Sequence, residues 1–131
     1  MKDLRVWLQS RFPAVVRPPH TTVSIDIGGI ELVLRDWEGS TVLDIVPREI
    51  LSGEYNLIAM EFRRDDVVID VGANIGIVAL WLAKKHPDIR IIAVEPVPTT
   101  FSHLQENIAL NRVDNITPLN CAVTRDGRIC G

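Results

Sequence analysis

An acid followed by two spaced glycines, directly after an apolar run, is the stretch of this chain best suited to chemistry. The run is Val67–Val71, with Asp70 inside it, and Gly72, Asn74 and Gly76 follow. Its β-forming residues predict a strand that is buried on both faces, as in parallel sheets. Glycine lets the backbone approach a ligand without a Cβ in the way, and a helix that begins there points free N–H groups at that ligand. We therefore expect a nucleotide-binding edge here.

The acid at the end of the next predicted strand narrows the choice of nucleotide. Glu95 follows an apolar run at 89–94, and a carboxylate at this position accepts hydrogen bonds from two ribose hydroxyls. Such an acid occurs in sites for NAD and for S-adenosylmethionine, so it does not separate the two. The glycine pattern separates the NAD site from the S-adenosylmethionine site, because Asn74 occupies the middle position of the GxGxxG dinucleotide fingerprint and Asp70 precedes the loop. That negative charge would repel a pyrophosphate and attract the ammonium and sulfonium groups of S-adenosylmethionine.

Three motifs in this order resemble the FkbM-type S-adenosylmethionine-dependent methyltransferases. They are Asp-Val-Gly-Ala-Asn-Ile-Gly at 70–76, Val-Glu-Pro at 94–96 and Leu-Gln-Glu-Asn-Ile-Ala-Leu-Asn at 104–111. The resemblance extends over about residues 53–127 and implies a Rossmann-like class I methyltransferase fold. For most members it implies O-methylation of a hydroxyl on a sugar or natural product. The expected acceptor is therefore a small-molecule or glycan hydroxyl, and the chain would be the N-terminal, cofactor-binding portion of such an enzyme.

The resemblance implies a role for the residues around the glycine loop. Gly72, Asn74 and Gly76 would lie under the methionine moiety, with Asp70 near its amino group, and Glu95 would hold the ribose. A plain tight turn between strand and helix is the alternative for the glycines. A solvated strand end is the alternative for Glu95.

The adenine contacts are implied in the same way. Pro96 and Val97 would pack on the adenine, and Cys121 and Ala122 stand where many relatives of this fold carry an acid and a small residue at the adenine edge. A thiol is a weak replacement for that acceptor. A small core residue is the alternative interpretation of Cys121.

The sequence assigns no catalytic base and no metal-ligand set. Methyl transfer needs alignment of the acceptor and removal of its proton, while the cofactor brings the reactive group. His20, His86 and His103 fall on a linker or on predicted helix surfaces, where solvated side chains are expected. The catalytic residue is therefore unknown at this point.

The elements that position these residues alternate between strand and helix from residue 65. Strands are predicted at 67–71, 89–94 and 116–123, with helices at 75–85 and from Thr99 or Thr100 to Asn111. The residues expected to face the sheet are Ile75, Val78, Ala79 and Leu82 in the first helix and Phe101, Leu104 and Ile108 in the second.

This β-α-β-α-β order predicts an α/β fold. Right-handed crossovers make it one half of a doubly wound sheet. The chain ends after the third parallel strand, so the fold is expected to be truncated there. An open sheet edge would remain, suited to a homodimer or to another chain.

Residues 1–64 are expected to form an N-terminal helix, a β-hairpin and a cover segment for a partial cofactor-binding domain at 65–131. Gly28-Gly29 separates two alternating runs within 22–34, which predicts the hairpin. Residues 36–40 are interpreted as a turn and 41–46 as a short strand or the approach to a helix. Pro47 is expected in the first turn of a helix that breaks near Ser52-Gly53. Glu54 and Tyr55, just beyond, could line the ligand site, although a surface glutamate and a half-buried tyrosine are the favoured interpretation.

Composition sets the remaining expectations. The 131 residues are 47% hydrophobic with a net charge of −3, and no cluster of Lys and Arg interleaves with aromatic residues, which argues against a nucleic-acid partner.

Cys121 and Cys130 lack the spacing of a zinc or disulfide site, so both are interpreted as reduced thiols of a cytoplasmic protein. No run reaches the roughly 20 apolar residues of a spanning helix, although residues 1–19 fit a basic amphipathic helix.

A methyltransferase portion is thus the first hypothesis for the function. The second is a non-enzymatic module that pairs through its open sheet edge. An NAD-dependent oxidoreductase is the least favoured, because it rests on the generic β-α-β order and Glu95 alone.

Overall fold

The computed structural model describes residues 19–125 as two small sheets and three helices. In chain order the elements are β1 (His20–Ile27), β2 (Ile30–Trp37), α1 (Val42–Ser52), β3 (Val67–Val71), α2 (Ile77–Lys85), β4 (Arg90–Val94), α3 (Pro98–Asn111) and β5 (Ile116–Leu119). The predicted N-terminal amphipathic helix and Cys130 lie outside the described residues.

β1 and β2 form the expected hairpin. Ile27 pairs with Ile30 across Gly28 and Gly29, whose φ angles of 60° and 87° are open to glycine without strain. Both strands are longer than predicted, and β2 continues through Trp37. The turn expected from residue 36 therefore begins only after β2 ends.

α1 occupies the segment whose structure the sequence left ambiguous. The helix begins at Val42, which places Pro47 inside it rather than in its first turn, so that expectation is wrong. The break near Ser52-Gly53 is confirmed. Gly53 has a φ of 83°, and its N–H bonds back to the carbonyl of Ile50, as expected of a glycine that ends a helix.

The three later strands form a parallel sheet in the order β3–β4–β5. Val71 lies beside Val94, and Val94 lies beside Leu119. With α2 and α3 as the crossovers, the predicted β-α-β-α-β order of a Rossmann-like α/β fold is confirmed.

β3 is not buried on both faces, contrary to expectation. Val67, Ile69 and Val71 are 49%, 61% and 60% exposed, whereas Val68 on the opposite face packs against the core. The apolar run fits a sheet that is covered on both sides. Within residues 19–125, however, the helices and the hairpin cover only one side of β3. The open edge that the sequence predicted is therefore present in this part of the chain, together with an uncovered apolar face.

α2 is buried almost all the way round. It begins at Ile77 rather than at residue 75, and its buried residues are Ile77, Ala79, Leu80, Trp81, Leu82 and Ala83. The predicted single stripe is too narrow, because the hairpin covers the helix on the side away from the sheet. The Trp81 indole N–H donates to the carbonyl of Ile27 at 2.9 Å, and the Lys84 ammonium donates to the carbonyl of Glu31 at 2.6 Å.

α3 differs from its prediction at both ends. Val97 is the N-cap and Pro98 begins the helix, so the expected cap at Thr99 or Thr100 is wrong. Proline is suited to that first position because its missing N–H would have no partner there. At the other end Arg112, rather than Asn111, takes the left-handed conformation, with a φ of 53°. The expected inner face is confirmed, since Leu104 is fully buried and Phe101 and Ile108 pack against the core.

β5 stops at Leu119 rather than at residue 123. The next residue, Asn120, donates its side-chain amide to the carbonyls of Glu95 and Pro96 at 2.8 and 3.2 Å. These bonds draw the chain across the end of β4 rather than along it. They also hold together the loops that follow β4 and β5.

One hydrophobic core spans both predicted segments. Ile27, Leu34 and Ile50 from the first half of the chain belong to the same cluster as Leu80 and Ile91 from the second half. The hairpin is therefore packed on the cofactor-binding segment rather than set apart from it. No helix within residues 19–125 has both the length and the apolar character to cross a membrane.

The uncovered face of β3 predicts a contrast between two isoleucines on neighbouring strands. Ile69→Ala should lower the free energy of unfolding by less than about 1 kcal/mol, whereas Ile91→Ala, at a position 1% exposed, should lower it by about 2–5 kcal/mol. Urea unfolding of the two variants measures both values. A cost at Ile69 equal to that at Ile91 would show that a second copy or another segment covers this face.

Candidate cofactor site

The glycine loop turns the chain through the left-handed region three times. Gly72, Asn74 and Gly76 have φ angles of 78°, 54° and 95°. Asparagine tolerates this conformation because its side chain bonds locally, and here the Asn74 Oδ1 accepts the N–H of Ile75 at 2.8 Å. The loop ends β3 and leads into α2, as the sequence predicted.

The two glycines of the loop face different surroundings. A Cβ built on Gly72 would have no atom within 4 Å, whereas one on Gly76 would lie 2.6 Å from the Leu104 Cδ1. Gly72 therefore leaves open space beside the loop. Gly76 instead allows α2 and α3 to pack closely.

A cavity of about 270 Å³ lies at the carboxyl end of β3. Its lining comes from α1, the glycine loop and the start of α2, and consists of Val42, Val46, Tyr55, Asp70, Val71, Gly72, Ala73, Asn74, Ile75, Ile77 and Val78. Asp70, Gly72 and Asn74 are thus brought together as predicted. Tyr55, which the sequence offered as the less favoured interpretation, also lines the cavity. Val42 and Val46 were missed, because no local pattern says that α1 folds back onto this strand end.

Asp70 is the charged group of the cavity. Burial raises the pKa of its carboxyl group above the ordinary value of 3.8. Its Oδ2 is buried and has no hydrogen-bond partner among residues 19–125. An ionised carboxylate in this position is costly unless a cation or a donor pairs with it. The loop therefore offers a free acceptor to a cationic ligand.

Tyr55 lies beside this acid but is not suited to accept a proton. Its hydroxyl donates to the Glu49 Oε2 at 2.7 Å. That bond, with some burial and the negative charge of Glu49, raises its pKa to about 12. At neutral pH Tyr55 is therefore a neutral hydrogen-bonding group at the rim of the cavity.

Glu95 is 6% exposed and is not a solvated strand end. Its Oε2 accepts the N–H of Asn74 at 2.9 Å, and its Oε1 accepts the N–H of Val97 at 2.9 Å. The carboxylate thus ties the glycine loop to the chain that follows β4. A carboxylate has about four lone-pair sites, so these two bonds leave it further capacity as an acceptor.

The predicted adenine contacts lie on the two loops next to the glycine loop. Pro96 and Val97 follow β4, Cys121 and Ala122 follow β5, and Asn120 joins the two loops. None of these four residues is among the described residues that line the 270 Å³ cavity. They share its end of the sheet, where the carboxyl ends of parallel strands bind ligands.

His103 is buried, so the expectation of a solvated side chain is wrong for this residue. It is 2% exposed, its Nε2 lies 2.8 Å from the His20 Nδ1, and its Nδ1 lies 3.7 Å from the Asp36 Oδ1. Burial and the neighbouring His20 lower its pKa below the ordinary 6.5. His20, which lies on β1 rather than on a linker, borders a second cavity of about 510 Å³ with His103 and Trp37. Neither histidine lines the cavity at Asp70.

The fold and the loop define a class of protein. A parallel half-sheet with a left-handed glycine loop, an acid with a buried oxygen before that loop and a second acid at the next strand end is a Rossmann-like nucleotide-binding unit of the methyltransferase type. The TRM5/TYW2 methyltransferase domain matches residues 42–127. The chain belongs to this family.

Individual relatives named as methyltransferases or as TYW2 match parts of the chain. A protein named Methyltransferase 1 from Beauveria bassiana is 37% identical over 65 residues, which are 50% of this chain and 26% of that protein. The 31-O-demethyl-FK506 methyltransferase FkbM of Streptomyces tacrolimicus is 37% identical over 83 residues, 63% of this chain and 32% of that one. The crystal structure of M. jannaschii TYW2 in complex with AdoMet superposes with a TM-score of 0.54 and 27% identity, over 80% of this chain and 45% of that one.

These comparisons confirm the enzyme class and refine the family. The expected S-adenosylmethionine-dependent methyltransferase class and the Rossmann-like fold are confirmed at the level of the family. The family that matches is TRM5/TYW2, while the expected FkbM-type similarity is found over part of the chain. The chain spans less than half the length of these three relatives.

The unpaired carboxylate predicts that Asp70→Asn raises the stability of the ligand-free protein at pH 7. Because the pKa of Asp70 is raised in the folded state, its ionisation costs stability as the pH rises from 3.8 through the folded-state pKa. The advantage of Asp70→Asn should therefore vanish as the pH falls towards 3.8. Thermal unfolding between pH 3.5 and 8 measures this difference in stability, because about 1 kcal/mol shifts the melting temperature of a domain of this size by several degrees. Asp114→Asn, at an exposed aspartate, is the control, and an equal gain there would contradict the assignment.

Proposed function

We propose that this chain carries the S-adenosylmethionine-binding part of a methyltransferase. One observation carries the proposal: the open backbone at Gly72 lies in the same cavity as the buried, unpaired oxygen of Asp70. Backbone without a side chain, next to an unpaired carboxylate oxygen, can accommodate an amino-acid moiety and pair with its ammonium group. S-adenosylmethionine has such a moiety. The complex of M. jannaschii TYW2 with AdoMet supports the same cofactor for this chain.

The other predicted contacts keep their roles within this proposal. Glu95 has acceptor capacity left for the ribose hydroxyls after its two backbone bonds. Pro96 and Val97 would hold one face of the adenine, with Cys121 and Ala122 at its edge. Gly76 would act by letting the loop pack against Leu104 rather than by touching the cofactor.

The residues of this chain would bind and orient rather than do the chemistry. When bound, S-adenosylmethionine supplies the activated methyl group. Asp70, the loop backbone and Glu95 would fix its position, and α1 with Tyr55 would limit access of water from one side of the cavity. Tyr55 is not suited to act as the base because its pKa is raised, and His20 and His103 do not line the cavity. The base is therefore unassigned within residues 19–125.

Two classes of methyl acceptor are candidates for this chain, and different observations favour each of them. The family match favours a tRNA nucleobase over the sugar hydroxyl first expected. Two relatives support it: a tRNA(Phe) (4-demethylwyosine(37)-C(7)) aminocarboxypropyltransferase of M. jannaschii, 35% identical over 66 residues, and a tRNA (guanine(37)-N(1))-methyltransferase of Batrachochytrium dendrobatidis, 38% identical over 79 residues. The FkbM relative and the excess of acidic over basic residues at 19–125 favour a small-molecule hydroxyl. We take tRNA as the first candidate. The small-molecule hydroxyl is the second candidate.

Gly72→Ala tests the cofactor site. The new methyl group would fill the open space beside the loop, so S-adenosylmethionine affinity should fall by at least about tenfold. Gly29→Ala is a matched control, because Gly29 also has positive φ and open surroundings but lies in the hairpin turn. Both variants should lose about 1–2 kcal/mol of stability from backbone strain. Calorimetric titration that finds equal cofactor affinity in the two variants would remove Gly72 from the site.

Transfer of a labelled methyl group tests the acceptor. The protein is incubated with methyl-labelled S-adenosylmethionine and either unmodified tRNA or a panel of hydroxylated macrolides and sugars. If the acceptor follows the family, label should appear in the tRNA fraction and should decline steeply with salt. Label in the small-molecule fraction alone would contradict the tRNA proposal and support the second candidate.

A further inference from the structure

Two buried asparagines on one face of α3 bind the free edge of β2. Asn107 is fully buried and Asn111 is 8% exposed, and residues four apart share a helix face. The Asn111 side chain accepts the N–H of Val33 at 3.0 Å and donates to its carbonyl at 2.6 Å. The Asn107 side chain accepts the N–H of Arg35 at 2.7 Å and donates to the carbonyl of Arg35 at 3.1 Å. The two carboxamides thus take the place of a neighbouring strand along this edge.

Asn107 makes one contact that Asn111 does not. Its Nδ2 also donates to the carbonyl of Ile75, inside the glycine loop, at 2.9 Å. The corresponding hydrogen of Asn111 bonds within α3, to the carbonyl of Asn107 at 2.8 Å. Asn107 alone of the pair therefore joins the hairpin backbone to the loop.

The contact with Asn107 restrains the glycine loop because the neighbouring backbone groups of Ile75 and Asn74 are also hydrogen-bonded. Its N–H is held by the Asn74 Oδ1, and the N–H of Asn74 is held by Glu95. With its carbonyl bound to Asn107, Ile75 is fixed on both sides at the point where the loop leaves the left-handed conformation of Asn74. The peptide planes that present the loop to the cavity have little freedom left.

We propose that Asn107 is a positioning residue for the cofactor site. Its carboxamide ties the carbonyl of Ile75 to the backbone of β2, so the hairpin and the glycine loop form one unit. The inference rests on the proposed function in one respect, namely that the loop binds S-adenosylmethionine. Through this contact the hairpin pre-orders the loop before the cofactor arrives, which lowers the ordering cost of binding.

A matched pair of variants tests the proposal. Asn107→Ala and Asn111→Ala each remove one two-bond contact with β2, so both should lower the melting temperature. Asn107→Ala alone also frees the carbonyl of Ile75. We expect faster hydrogen exchange at the amides of residues 75–77 and an S-adenosylmethionine dissociation constant raised about tenfold in Asn107→Ala. In Asn111→Ala the loop exchange and the dissociation constant should stay close to wild type.

Both measurements are made at a temperature at which the variants are fully folded. If Asn107→Ala does not fold, Asn107→Ser keeps a small polar side chain and replaces it. Equal loop exchange and equal cofactor affinity in the Asn107 and Asn111 variants would overturn the proposal. If the wild type fails to bind S-adenosylmethionine while Asn107→Ala still frees the loop, the positioning role stands and the proposed function fails.

Discussion

The structure depends on a loop that must turn left-handed at three positions within five residues. Glycine enters this region freely, but the loop has to be held there, since the same freedom lets glycine leave it. Glu95 holds the loop from β4 through the N–H of Asn74, and Asn107 holds it from α3 through the carbonyl of Ile75. Gly76 completes the arrangement by letting Leu104 pack against the loop. The motifs at 70–76, 94–96 and 104–111 therefore meet around one piece of backbone.

This arrangement gives the two acids of the site different bonding. Both carboxylate oxygens of Glu95 bond to backbone N–H groups, and the two polar side-chain atoms of Asn107 make three bonds, all to backbone groups. Asp70, in the neighbouring strand β3 at the same end of the sheet, has a buried oxygen without a partner among residues 19–125, and burial raises its pKa. Unpaired buried charge costs stability and is tolerated where function needs it. The contrast between Glu95 and Asp70 is the main physical reason to place a cationic ligand at the glycine loop.

Local rules predicted the parts of the fold that depend on local chemistry. The hairpin at Gly28-Gly29, the glycine loop and the inner face of α3 at Leu104 follow from turn preferences and periodicity. The burial of β3 was wrong because it depends on what covers the far side of the sheet, which no residue of the strand encodes. His103, Asn107 and Asn111 were missed as buried residues because periodicity counts apolar side chains, whereas these polar ones are buried against the hairpin. The helix α1 reaches the cavity because the chain folds back onto the end of β3, and no local sequence pattern predicts that contact.

The most direct test of the cofactor site is a titration of ¹⁵N-labelled protein with S-adenosylmethionine, followed by amide chemical shifts. The account predicts saturable shifts at residues 70–76 and at Glu95 and Val97, on the two segments that the Glu95 carboxylate ties together, with smaller shifts at Cys121 and Ala122. Shifts confined to the second cavity, around Trp37 and His103, or the absence of any saturable shift, would contradict it.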